Sequence, residues 1–352
     1  MRCVYKVFRK YGFLCVLLCA CIVSGIIFPF LCGFNANNAE TVSEAADGDA
    51  QQKADYIKWF EFDATNEVMT RAMKADIESE SAQVKLDWTE IIACLATKYG
   101  GDFGRYKRND FDEVCNALRE GKTASSVAGS EKYYNYYYEG YRAVLGNFIG
   151  YYEEEQETDT GRRMVKKYGL KAFSPIAKGY GFSHYDDFGN SRTYGFARKH
   201  LGNDLMGSVG TPIIAVESGV VEALGWNRYG GWRIGIRSLD GMRYYYYAHL
   251  RKDRPYHAAL AVGKTVTAGD VIGYLGMSGY STKENTNNIN IPHLHFGLQL
   301  IFDESQKDSN NEIWIDMYQL VEFLQKNKSA VQKDDLKEFN RVYNMRDPSA
   351  YE

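Results

Sequence analysis

The chain has 352 residues, of which 28 are tyrosine and only six are histidine. This length exceeds that of most single compact domains, so the sequence predicts more than one folded unit. The formal net charge is -3, and the lysines and arginines are scattered along the chain. That distribution offers no concentrated positive surface for nucleic acid, which we exclude as a partner.

Residues 11–34 form an apolar, uncharged stretch. At about 1.5 Å per residue, a helix of this length spans a hydrocarbon core of about 30 Å, so residues 1–34 predict a cytoplasmic start and a single transmembrane helix. Basic residues precede the stretch and acidic residues follow it, which predicts that the bulk of the chain lies outside the cytoplasm. A cleaved signal peptide, which would make the protein secreted, fits the same pattern, and Cys21 loosely resembles a lipoprotein acylation site.

Residues 35–52 are rich in Ala, Asn, Asp and Glu and predict a flexible tether. Apolar residues then recur at helical spacing through 53–152, which predicts an all-α helical domain. Two of its segments, 87–101 and 110–121, carry an N-terminal Asp-x-x-Glu pattern and end at glycine. The tyrosine-rich run at 132–141 favours ordinary helix packing, with a surface for sugars or proteins as the alternative.

Cysteine use separates the predicted membrane segment from the rest of the chain. Five of the seven cysteines lie in or beside the apolar stretch. Cys94 and Cys115 lie in helical patterns at apolar positions. They are therefore either bridged or two buried thiols.

A charged stretch at 153–165 predicts a linker. Beyond it, short runs of β-branched and aromatic residues alternate with glycine through 166–304, which predicts an all-β domain of many short strands. Residues 305–352 predict a closing amphipathic helix at 313–328 followed by a polar tail.

His293 and His295 stand two residues apart in the segment NIPHLHFG. Side chains alternate along a strand, so the two imidazoles are predicted to share one face, about 7 Å apart. His200 and Asp204 are separated by three residues that include glycine and asparagine, which indicates a turn entering a strand. Two imidazoles and one carboxylate form a common ligand set for a catalytic zinc that keeps one position open for water.

The remaining histidines have less distinctive surroundings. His249 ends a β-type run in the segment YYAHL, which is a motif-like position. His184 and His257 have no such setting, and both are predicted to be surface loop residues.

Residues about 172–300 resemble the M23 family of zinc metallopeptidases, the lysostaphin and LytM type of cell-wall endopeptidase. The H-x3-D motif at 200–204, the histidine of YYAHL and the H-x-H at 293–295 occur in the family's order. The resemblance implies a mainly antiparallel, LytM-like β fold of the duplicated hybrid motif type. It also implies one zinc ion per chain and peptidoglycan peptides as the substrate.

Carried over to this sequence, the resemblance implies that His200, Asp204 and His295 bind zinc. Zinc lowers the pKa of a bound water to near 7, so a neighbouring imidazole with a pKa near 6.5 can remove its proton. His293 is the predicted base. His249 is predicted to hydrogen-bond the developing oxyanion or the attacking water, and Tyr194 matches an oxyanion tyrosine of some members or is a packing residue.

The predicted function is a membrane-anchored zinc endopeptidase that cleaves stem peptides or cross-bridges of peptidoglycan on the cell-wall side of the membrane. The alternative is a catalytically silent LytM-type scaffold that binds an envelope partner or activates another hydrolase. Such scaffolds usually lack a ligand, whereas all five site residues are present here. The segment from Ser278 to His293 is predicted to form a groove wall. The helical domain could position the enzyme, bind a protein partner or block the groove.

Overall fold

A computed structural model of the chain describes residues 56–193, 197–307 and 309–350. Residues Ala54–Glu352 form one compact unit. The predicted transmembrane helix and tether lie outside the described residues. Within the described ranges, no helix is both long and apolar enough to cross a membrane.

Six α-helices occur in the described residues, five of them before the first strand. The second helix begins as predicted at Asp87, whose carboxylate accepts hydrogen bonds from two backbone N–H groups, and it ends at Gly100 with φ 64°. The tyrosine-rich run forms the fifth helix, in which Tyr141 is fully buried and Tyr133 remains exposed. The helices are α1 (Asn66–Ser79), α2 (Trp88–Tyr99), α3 (Arg108–Arg119), α4 (Ala124–Ala128), α5 (Glu131–Leu145) and α6 (Tyr318–Leu324).

The strands are short and pair in antiparallel fashion in the described part of the chain. They are β1 (Ile149–Thr158), β2 (Gly161–Leu170), β3 (Ser183–His184), β4 (Ser191–Thr193), β5 (Ala197–Lys199), β6 (Asn203–Met206), β7 (Pro212–Ile214), β8 (Gly219–Asn227), β9 (Gly231–Ser238), β10 (Arg243–Ala248), β11 (Thr265–Val266), β12 (Val271–Tyr274), β13 (His293–Leu300), β14 (Ile313–Ile315), β15 (Val331–Lys333), β16 (Phe339–Arg341) and β17 (Met345–Arg346).

The main sheet has the strand order β11–β8–β9–β10–β13–β6–β3, and β14 pairs with the second half of β13. Its register places Ala248 and Asp204 directly opposite His295, on the two neighbouring strands. Opposite residues of paired strands share a face, so these three side chains lie on one side of the sheet. Leu294 and Phe296 lie on the other side, in the core.

The stretch predicted as a linker, 153–165, is instead part of a hairpin of β1 and β2. An acidic strand here pairs with a basic one, with Glu153 opposite Lys166 and Glu157 opposite Arg162. Opposite charges across paired strands favour pairing without any apolar alternation. Helix α5 accordingly ends at Leu145, before the predicted helical limit of 152.

The helices and the β-sheet share one core, which corrects the prediction of a separate helical domain. Trp88 of α2 packs against Phe323 of α6, with ring centroids 5.8 Å apart. Arg243 of β10 donates a hydrogen bond to the backbone carbonyl of Ala143 in α5. Arg243 points to the sheet face opposite that of His295, so this helix contact lies behind the sheet.

The described residues decide three further predictions. Cys94 and Cys115 are buried free thiols. The predicted closing helix at 313–328 begins as strand β14 because Ile313 and Ile315 pair with the second half of β13. The predicted polar tail forms short strands, and Asp347 makes a buried ion pair with Lys171, 2.9 Å apart.

Candidate metal site and groove

Three side chains meet at one point on the face of the main sheet that carries His295. His200 precedes β6, Asp204 lies in β6 and His295 lies in β13. The distances between their facing atoms are 3.0 Å from His200 Nε2 to Asp204 Oδ1, 2.9 Å from His200 Nε2 to His295 Nδ1 and 3.2 Å from His295 Nδ1 to Asp204 Oδ1. The three residues form a group that could hold a metal ion.

The dimensions of this triangle fit zinc. A tetrahedral zinc site with bonds of 2.0–2.1 Å separates its ligand atoms by about 3.3 Å. The observed separations of 2.9–3.2 Å need only a slight expansion. Gly202 leaves room for this approach, since a Cβ there would lie 2.8 Å from the His295 ring.

Hydrogen bonding to His200 gives the site its preference for a cation. His200 Nδ1 lies 3.1 Å from the backbone carbonyl of Asp187, which can only accept, so Nδ1 carries the hydrogen. In the neutral ring Nε2 then presents a lone pair to Asp204 and His295. The Nε2 lone pair and the carboxylate oxygen of Asp204 repel each other unless a positive charge lies between them. A metal ion provides that charge.

The pKa values of His200 and Asp204 indicate the same preference of the site for positive charge. Burial lowers the pKa of His200, but hydrogen bonds to Asp187 and Asp204 outweigh it and raise this pKa to about 9. Burial raises the pKa of Asp204, yet the hydrogen bonds from His200 and His295 hold it well below its usual range. Burial lowers the pKa of His295 despite its contact with Asp204.

Two supporting residues at this site are absent from the sequence predictions. The carboxylate of Asp187 lies 3.3 Å from His200 Nδ1, and Arg192 donates a hydrogen bond of 2.7 Å to that carboxylate. Arg192 also contacts the second oxygen of Asp204 at 3.3 Å. Such outer partners orient metal ligands. Both residues sit in loops or short strands with no spacing motif that would have identified them.

His293 and His249 stand beside the three ligand candidates, as predicted. The two rings are 4.8 Å apart, and His293 Nε2 lies 3.7 Å from Asp204 Oδ1. His293 Nδ1 donates to the carbonyl of Ile291 at 2.8 Å, and His249 Nδ1 donates to that of Ser278 at 2.9 Å. Each neutral ring therefore presents Nε2 as an acceptor. Burial, with His293 and His295 nearby, lowers the pKa of His249 well below its ordinary value.

The other predicted positions differ in outcome. Tyr194 lies outside the described residues. His184 is not a surface loop residue: it lies in β3, its side chain is 3% exposed, and its ring meets Tyr318 edge-on at 4.5 Å. Burial lowers the pKa of His184 accordingly. His257 lies in a loop and is half-buried.

One wall beside the site is built by the segment after Ser278. Tyr280 has φ 46°, an uncommon conformation for a bulky residue, and its ring lies 5.8 Å from that of His249. Its hydroxyl accepts a hydrogen bond of 2.6 Å from Arg198, in β5. Gly279 fits tightly against this wall, since a Cβ there would lie 2.5 Å from the backbone oxygen of Tyr229.

Comparisons with known proteins agree with this site. Residues 198–310 match the family model for peptidase family M23. The chain is similar to the L-Ala–D-Glu endopeptidase of Bacillus subtilis, with 39% identity over 117 residues, which is 33% of this chain and 34% of that protein. It is also similar to lysostaphin of Staphylococcus simulans, with 38% identity over 136 residues, 38% of this chain and 24% of the other. The chain thus spans about a third or less of these curated relatives.

The catalytic domain of S. simulans lysostaphin, a solved structure, is 34% identical and has a TM-score of 0.29, covering 35% of this chain and 85% of that one. The match to the family model includes His200, Asp204, His249, His293 and His295. The similarity thus falls on the segment that carries the metal site. Residues 198–310 therefore carry a peptidase family M23 domain.

Proposed function

We propose that this chain is a zinc endopeptidase that hydrolyses peptide bonds in the stem peptides or cross-bridges of peptidoglycan. The observation that carries the proposal is the convergence of His200 Nε2, Asp204 Oδ1 and His295 Nδ1 within 3.2 Å of one another. The relatives named above are peptidases, one of them for an L-Ala–D-Glu bond.

The three ligand candidates would hold the ion through two imidazole nitrogens and one carboxylate oxygen. Zinc in that position supplies a Lewis acid that activates a water molecule near neutral pH. Asp187 keeps the Nδ1 hydrogen of His200 in place and so keeps Nε2 available to the ion. Arg192 holds the outer oxygen of Asp204, which leaves Oδ1 directed into the site.

His293 serves as the general base. Its Nδ1 hydrogen is committed to Ile291, so its Nε2 accepts a proton from the nucleophilic water and returns it to the leaving amine. Of the two predicted roles of His249, the hydrogen bond to Ser278 favours contact with the attacking water, because Nε2 of the neutral ring accepts rather than donates.

The proposed location is the outer side of the cell membrane. The apolar stretch at 11–34 supports a single-pass anchor, and cleavage of that stretch would release the protein. The helix contact through Arg243 lies on the sheet face opposite the site, which supports a role for the helices other than blocking the groove.

The test uses the full chain purified in detergent. We expect about one zinc per chain by elemental analysis and release of peptides from purified cell walls, with the cleaved bond identified by mass spectrometry. Chelation should abolish release, and added zinc should restore it. A chain that binds zinc but cleaves no wall peptide would support the silent scaffold instead.

A further inference from the structure

Arg198 occupies the wall next to the metal site, two residues before His200. Its guanidinium lies close to two aromatic rings, 5.1 Å from the ring centroid of Tyr229 and 5.3 Å from that of Tyr280. One of its N–H groups donates to the Tyr280 hydroxyl at 2.6 Å. The hydrogen bond and the two nearby rings therefore restrict the orientation of this side chain.

The positive charge of Arg198 lacks a carboxylate partner in the part of the chain that the structure describes. No acidic oxygen there lies within 4.0 Å of it, and its buried Nε has no hydrogen-bond partner. Arg192, directly opposite it on β4, is by contrast paired with Asp187 and Asp204. Of the two facing arginines, Arg198 is thus the one without a counter-charge among the described residues, and an anion at its guanidinium would be favourable.

The position of Arg198 relates it to the reacting bond. Because its guanidinium and the His249 ring both contact the Tyr280 ring, the two are within about 11 Å of each other, roughly three residues of extended peptide. A guanidinium presents a fork of N–H groups that matches a carboxylate. Tyr280 keeps a strained backbone, with φ 46°, in the position that supports this arginine.

We propose that Arg198, supported by Tyr229 and Tyr280, binds a carboxylate of the substrate within about three residues of the scissile bond. The inference rests on the proposed function and narrows its substrate class. The enzyme acts on acidic peptides, such as stem peptides with a free glutamyl carboxylate, in preference to neutral bridges made of glycine.

The experiment compares two peptides that differ only in charge. One is L-Ala-γ-D-Glu-L-Lys-D-Ala amide, with a free α-carboxylate on the D-Glu residue, and the other carries a carboxamide at that position. Pentaglycine amide serves as a third, neutral substrate. The zinc-loaded full chain should cleave the acidic peptide with a kcat/KM roughly 10- to 100-fold higher than the amidated one, since hydrogen bonds to charged groups contribute that much.

Arg198→Met should remove this preference through KM, with a much larger loss on the acidic peptide than on the amidated one and the zinc content unchanged. Lys283→Met is the matched control, because it removes one positive charge from an exposed position in the same wall. It should retain the preference. Equal losses on both peptides with Arg198→Met, or a wild type that does not distinguish them, would overturn the inference while leaving the peptidase activity standing.

Binding is measured separately, on the zinc-loaded His293→Ala variant, where turnover does not interfere. That variant should bind the acidic peptide more tightly than the amidated one, and Arg198→Met added to it should abolish the difference. If the wild type cleaves no peptide at all, the proposed function fails, and this binding comparison still decides whether Arg198 recognises a carboxylate. Equal binding of the two peptides would refute it.

Discussion

Arg243 and Glu217 form a two-point ion pair in the interior, with Nε 2.8 Å from Oε2 and Nη2 2.9 Å from Oε1. Arg243 is fully buried, and the Tyr245 hydroxyl donates a further hydrogen bond of 2.7 Å to Glu217. Because Arg243 also donates a hydrogen bond to the carbonyl of Ala143, the pair connects the end of α5 to the face of the main sheet opposite His295.

Arg243→Met should lower the free energy of unfolding by about 3–5 kcal/mol, because it leaves Glu217 buried without its counter-charge. Urea denaturation gives the measurement. Arg71→Met is the control, since Arg71 pairs with Asp112 at a partly exposed site, where ion pairs contribute about 1 kcal/mol or less. Comparable losses in the two variants would contradict this account.

Asp76 makes stability depend on pH. Burial raises its pKa from 3.8 to about 6, although Tyr168 and the Trp88 backbone both donate hydrogen bonds to it. Between these two pKa values the folded chain binds more protons at this position than the unfolded chain does. Its contribution to stability is therefore fully present below about pH 4 and is lost as the pH rises through about 6, by about 2–3 kcal/mol.

Asp76→Asn should lose one of the two hydrogen bonds at every pH, about 1 kcal/mol, but should lack this pH-dependent component. The stability of the variant relative to the wild type should thus rise between pH 4 and pH 7. Urea denaturation of both proteins across this range measures the difference, in which the other carboxylates cancel. A difference that stays constant with pH would show that Asp76 titrates normally.

His295 and His293 should separate metal binding from turnover. His295→Ala should lose zinc, since it removes one of the three proposed ligands, whereas His293→Ala should keep zinc and lose roughly 10²- to 10⁴-fold in kcat. Elemental analysis and wall-peptide release measure the two effects. His257→Ala, in a loop apart from the ligand cluster, should change neither. Loss of zinc in His293→Ala would mean that the division of roles is wrong.

Gly231 allows the backbone at Ser278, where the wall segment begins, to pack closely against it because glycine has no side chain. It has φ 64°, and a Cβ there would lie 2.4 Å from the backbone of Ser278, whose carbonyl accepts from His249. Gly231→Ala should lower the free energy of unfolding by roughly 1–3 kcal/mol and reduce kcat, with zinc retained.

Gly241→Ala provides the matched control for this effect. Gly241 also has a positive φ, 76°, but a Cβ there meets nothing within 4 Å. The Gly241→Ala substitution should lower the free energy of unfolding by about 1 kcal/mol and leave peptide release unchanged. Equal losses of activity in the two variants would exclude the close approach to Ser278 as the cause.

The local sequence predicted that the two histidines of the H-x-H motif share one strand face, because the alternation of side chains along a strand depends only on the backbone. His293 and His295 share a face of β13, as predicted, and Leu294 is buried on the other face. The start and end of α2 were predictable for a similar reason, since Asp87 and Gly100 act within one turn. Which residues bind metal and which accept protons stays a prediction.

Features set by distant segments were not predictable. The β1–β2 hairpin depends on charge pairing between strands, and its acidic and basic runs look like a solvated linker when each is considered alone. Asp187 and Arg192 gain their roles only when the chain brings them to His200. Helix α6 begins later than its apolar pattern because Ile313 and Ile315 pair with β13.

The pairing of β13 with β6 places His295 opposite Asp204 and His293 opposite Met206. A slip of one residue would turn both histidines into the core and bring Leu294 to the metal-binding face. Only chains in the native register then offer the complete ligand set, and an ion that binds them stabilises that register over its neighbours. Metal binding would therefore favour the native register during folding, because chains with misaligned strands lack the complete set of proposed ligands and cannot bind the ion.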